Sequence, residues 1–197
     1  MSIHPILALA VALAVALAPA AAGEAFDPAR ANERYQSAGK AVLDMVNAKQ
    51  VDAARVAALV LEMQHAAVPA ARAYAARHPQ GAKLIEATIS AAVTLSATGA
   101  VTSLGPMKDL AFDQIQHQWH DLNGFKVAEV GIDPKHETFE HFTDPLHAII
   151  HPIMVLRAAV DHAAAPAAVN LERMKAEQDE GNEQMEKLAK TLAAPAK

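Results

Sequence analysis

The segment Leu146–Val160, LHAIIHPIMVLRAAV, sets large apolar side chains at nearly every angle around a helical axis. A helix with a single apolar stripe lies on a surface, whereas one that is apolar all round is enclosed by other elements. This segment therefore predicts a central buried helix, and the rest of the chain must wrap it. Alanine, leucine, methionine, glutamate and lysine dominate that remainder, and short alternating runs of valine, isoleucine, threonine and tyrosine are missing, so the wrapping elements read as helices too. The expectation is an all-α fold, an antiparallel helical bundle of about four to six helices after an N-terminal signal segment.

Turn signals divide the bundle. Asp27-Pro28 caps a first helix to about Lys49, because aspartate accepts from free backbone N–H groups and proline suits the first turn. A second helix runs from about Val51 to His78, with Pro69 kinking or dividing it. A third spans Ala82 to Thr98 and stops at Gly99, and a fourth spans Met107 to Gly124. The connection GFKVAEVGI follows, then Asp133-Pro134 starts a short helix and Asp144-Pro145 starts or continues a longer one to about Ala164. The last segment is charged and amphipathic, and Gly181 interrupts it, which reads as a partly frayed terminal helix. The chain divides into a signal peptide at 1–22, a helical bundle domain at 24–164 and a charged C-terminal amphipathic helix and tail at 165–197.

The leader is read from residues 3–23, IHPILALAVALAVALAPAAAG, where His4 is the one ionisable side chain before Glu24 and small residues stand where a signal peptidase cuts. No Lys or Arg precedes the run, so a retained anchor is the alternative. Export to the periplasm or secretion follows, with no membrane association once the leader is removed. With no cysteine, the chain has no disulfide, no thiolate metal site and no covalent haem attachment. A net charge of −5 without a basic cluster excludes nucleic acid as an expected partner. A homodimer is compatible with the composition but not indicated by it.

Chemistry concentrates in the histidines. His147 and His151 stand one turn apart on the apolar helix, so their rings share a face and can share an ion. If the helix continues back through Pro145, His136, Glu140, Asp144 and Met154 fall within about 80° of them. In the second helix, Glu62 and His65 interrupt an apolar run at the Glu-x-x-His spacing of di-metal carboxylate bundles, and Asp144-Pro-Leu-His147 is the nearest second copy. An arginine such as Arg55 or Arg72 is the alternative partner for Glu62. The fourth helix adds His117 and His120, which a chain returning through Gly124 to Asp133 would bring toward the His147 segment. The candidate metal ligands are Glu62, His65, His117, His120, Asp144, His147 and His151. Met63 and Met154 can add thioether to a copper site, although core filling is their more frequent use.

Imidazole and carboxylate without thiolate suit copper, zinc, iron or nickel, and affinity order alone favours copper. The primary functional expectation is an exported bundle that binds one or two transition-metal ions for storage, delivery or sensing. A redox enzyme built on a di-metal centre is the alternative, as is non-covalent haem held by two histidines, or a metal-free interaction bundle whose histidines respond to pH. Nucleophilic catalysis finds no support, because no Gly-x-Ser-x-Gly elbow, cysteine or phosphate-binding glycine loop is present.

Overall fold

The computed structural model describes residues 26–121 and 138–195, with the backbone alone over 138–141. The leader, the GFKVAEVGI connection, the helix start at Asp133-Pro134, His136 and the Glu140 side chain lie outside the described residues. Four long helices form the body: α1 (Pro28–Asn47), α2 (Ala53–Arg77), α5 (Thr138–Ala164) and α6 (Ala168–Ala193). They pack in a ring in which α1 lies against α2 and α6, while α5 lies against the same two on the other side. Short connections turn α1 back into α2 and α5 back into α6. The guanidinium of Arg77, on the last turn of α2, donates to the carbonyls of Thr191, Leu192 and Ala194, so the C-terminal ends of α2 and α6 lie together. Those carbonyls have no intrahelical donor, and a cation beside them also suits the helix dipole.

The helix starts follow from aspartate caps. Asp27 accepts from the N–H groups of Ala29 and Arg30 at 2.9 and 3.2 Å, and Asp52 repeats the arrangement on Ala54 and Arg55. Pro69 sits within an unbroken α2. The α5 helix is likewise continuous from Thr138 through both Pro145 and Pro152, so Thr143-Asp144-Pro145 does not start a new helix. At its centre Ile149, Ile150, Ile153 and Met154 are fully enclosed, as the all-round apolar pattern requires.

Two segments depart from the helical expectation. The third helix, α3 (Ala82–Ala92), ends early, and Val93–Leu95 (β1) pairs antiparallel with Val101–Leu104 (β2) around a turn in which Gly99 takes φ +82°. β-Branched Val93, Thr94, Val101 and Thr102 suit a strand, and Gly99 supplies the left-handed turn. The expected fourth helix is a 3-10 turn (Pro106–Asp109), a single α-turn α4 (Phe112–Ile115) and a π-helical turn (Gln116–His120). Among the described residues no helix is long and apolar enough to cross a membrane.

Pro152 determines how α5 is held. It has no N–H, so the Ala148 carbonyl loses its intrahelical donor. The buried Tyr35 hydroxyl of α1 donates to Ala148 O at 3.1 Å, and Gln64 of α2 donates through Nε2 to Ile149 O at 2.7 Å. Burial holds the Tyr35 phenol well above its ordinary value, so it remains a donor at any physiological pH. The α6 helix is continuous through Gly181, which is buried. A Cβ there would stand 2.8 Å from Tyr35 Oη and 3.1 Å from His151 Cβ, so glycine is what lets α6 close onto α5. In a free helix, Gly181→Ala would stabilise by about 1 kcal/mol. Here overpacking reverses the sign, and urea unfolding is expected to show a loss of about 1–2 kcal/mol. Tyr35→Phe, which strands the Ala148 carbonyl, is expected to cost about 1–2 kcal/mol in the same measurement. A stabilised Gly181→Ala would show that α5 and α6 are not in contact there.

Candidate metal centre

Three imidazoles converge where the π-helical turn meets α5. His120 and His147 stack with ring centroids 4.3 Å apart and planes 11° apart, while His151 stands edge-on to both at 5.0 and 5.1 Å. Each ring offers one nitrogen, and the three nitrogens lie within 4.8 Å of one another. Drawing them onto one ion with metal–nitrogen bonds of about 2.0–2.1 Å needs side-chain shifts on the order of 1 Å. The set can hold a metal ion.

Each ring also has a polar contact with a carboxylate or carbonyl oxygen. His151 Nδ1 lies 2.7 Å from Glu177 Oε2 of α6, and His120 Nδ1 lies 2.9 Å from Asp121 Oδ1. His147 Nε2 lies 3.3 Å from the His120 carbonyl oxygen. With the N–H donating at His147 Nε2 and His151 Nδ1, the lone pairs of His147 Nδ1 and His151 Nε2 are left for a cation, whereas His120 Nδ1 stands between the Asp121 carboxylate and the Gln116 amide nitrogen, which is 3.0 Å away. Carboxylate or carbonyl acceptors behind ligating histidines are the usual means of fixing tautomer and ring orientation at a metal. The hydrogen bond from His120, helped by Gln116, holds the Asp121 carboxyl below the ordinary aspartate value.

His151 is 0% exposed, and among the described residues its Nε2 has no hydrogen-bond partner. A buried polar atom in that condition costs about 1–3 kcal/mol. Glu180 Oε2 is 3.7 Å away. His147 is driven down to about 3 from the ordinary histidine value, first by burial and then by its histidine neighbours. It is therefore neutral and able to ligate at physiological pH.

The structure brings together three of the seven ligands expected from sequence. Glu62 is half exposed and pairs with Arg34 of α1, whose Nε donates to it at 2.9 Å, rather than with Arg55 or Arg72. His65 is partly buried and lines a cavity of about 350 Å³ with Arg30 and Arg34, away from the triad. Asp144 is partly buried one turn before His147, and its charge acts on Tyr74 and Lys187. His117 is exposed. In an α-helix it would stand about 60° from His120. The Asp121 N–H, however, bonds the Gln116 carbonyl at 2.8 Å, and that wider i→i+5 turn separates the two histidines and brings His120 inward.

Glu177 and Glu180 were not legible as site residues, because the terminal segment reads as a solvated acidic face. The available signal was their i, i+3 spacing beside a glycine inside an otherwise strong helix. Compared with protein-family models, curated proteins and solved structures, the chain matches none of them.

The low value of His147 sets a pH dependence. Between about 3 and its unfolded value of about 6.5 the unfolded chain holds a proton that the folded chain refuses. This contribution is thus complete above about 6.5 and is lost progressively as pH falls toward 3. Chelator-treated protein should lose up to about 1.4 kcal/mol per pH unit from this group between about pH 6 and pH 5. His147→Gln should flatten that slope in urea titrations, and an unchanged slope would mean that the ring titrates normally.

Proposed function

We propose that the protein is an exported helical-bundle protein that binds a transition-metal ion through His120, His147 and His151, for storage, delivery or sensing. The observation that carries this reading is His151 Nε2, enclosed and without a hydrogen-bond partner among the described residues, in a ring clustered with two further imidazoles. Three imidazoles that each bring a nitrogen to one region make the arrangement an ion requires and a set of independently satisfied core histidines does not.

Neutral imidazoles without thiolate favour zinc, copper, nickel or iron, and the order of intrinsic affinity places copper first. The rings converge on one point, whereas bis-histidine haem needs ligands on opposite faces of a macrocycle; the geometry therefore supports a bare ion over haem. Export rests on the apolar leader at residues 3–23.

An ion that binds the folded chain alone stabilises it by mass action, about 2.7 kcal/mol at a concentration one hundred times Kd. Zinc, copper or nickel added to chelator-stripped protein without a His tag should raise Tm by several degrees, and EDTA should reverse the rise. His147→Ala/His151→Ala should remove the response. A double variant that binds metal as tightly as the parent, or a parent whose Tm ignores all these ions, would overturn the reading.

A further inference from the structure

We infer that Glu180 is the fourth ligand of this ion and closes the three imidazoles into a three-nitrogen, one-oxygen site for a divalent cation. The inference rests on the metal-site reading above. Glu180 Oε2 stands 3.7 Å from His151 Nε2, beyond hydrogen-bond distance. With Nδ1–H committed to Glu177, Nε2 presents a lone pair, so a lone pair and a carboxylate face each other across that gap. A cation between them converts an unfavourable approach into two bonds. Metal–nitrogen and metal–oxygen distances of about 2.05 and 2.1 Å across 3.7 Å correspond to an angle at the ion of about 125°, wider than the tetrahedral value, so the exposed Glu180 side chain swings toward the three imidazoles to complete a four-coordinate centre.

The two glutamates divide the work. Glu177 is 13% exposed, lies on the far side of the His151 ring and orients it, which makes it a positioning residue. Glu180 is 58% exposed, so its carboxylate can meet a hydrated ion in solvent and carry it to the buried nitrogen. Both stand on the same face of α6, and Gly181 beside them permits the close approach to His151. A carboxylate added to three neutral imidazoles favours a divalent ion over copper(I), which prefers soft ligands and needs less charge.

Cobalt(II) titration of the untagged full chain, read by its visible absorption, tests the assignment. The parent should give the intense band of a four-coordinate centre. Glu180→Gln should weaken cobalt binding by about tenfold or more and alter the band as water takes the vacated position. Glu177→Gln should also weaken binding but keep the parent's spectrum, because the coordinating atoms are unchanged. The unfolding midpoint of the metal-free Glu180→Gln protein, measured alongside, should match the parent's. Parent-like affinity and spectrum in Glu180→Gln would overturn the fourth-ligand assignment while the three-histidine site stands. A parent that binds no cobalt, zinc or copper would overturn both.

Discussion

The hydrogen bond between Glu177 and His151 is the interaction on which the arrangement depends. It joins the most enclosed helix to the most acidic one at 2.7 Å and sets a carboxylate acceptor against Nδ1 of a fully buried imidazole. Once Nδ1 donates outward, Nε2 must accept from something, and its surroundings offer two more imidazoles and a second carboxylate. A buried lone pair among neutral rings and acids is expensive in isolation. It becomes favourable when a cation is shared among them.

The backbone that produces this contact is held by polar groups with no part in ligation. Pro152 frees a carbonyl one turn upstream, within the same turn as the two histidines, and Tyr35 and Gln64 reach in from α1 and α2 to occupy it and its neighbour. Tyr35 also packs against Gly181, so one phenol ring spans the α5 bend and the α5–α6 approach. The site on α5 is therefore tied to the other three long helices before any ion arrives, which is the preorganisation a metal centre needs to limit its reorganisation cost.

Much of this was legible in the sequence because the signals are local. The all-round apolar pattern of Leu146–Val160 identified the central helix, Asp27 marked the start of the first helix, and the i, i+4 spacing of His147 and His151 put both rings on one face. What was not legible depends on distant partners or on small differences in turn geometry. Glu62 looked like a buried acid until α1 placed Arg34 beside it, twenty-eight positions away. The choice of His120 over His117 turns on one wide helical turn, for which residue patterns carry no clear signature. The hairpin at Val93–Leu104 was hidden because its apolar residues extend the helical run before it, and only the β-branched content around Gly99 argued otherwise. The acidic partners on α6 require knowledge that α6 packs on α5.

Proton–nitrogen correlation spectra of the imidazoles, recorded at mildly alkaline pH before and after zinc, test the central claim most directly. His151 should appear as the tautomer protonated at Nδ1 alone. Zinc should then shift the unprotonated nitrogens of His120, His147 and His151 together while leaving those of His65, His117 and His162 in place. A His151 ring protonated at both nitrogens, held as a cation between Glu177 and Glu180 and indifferent to zinc, would contradict the account.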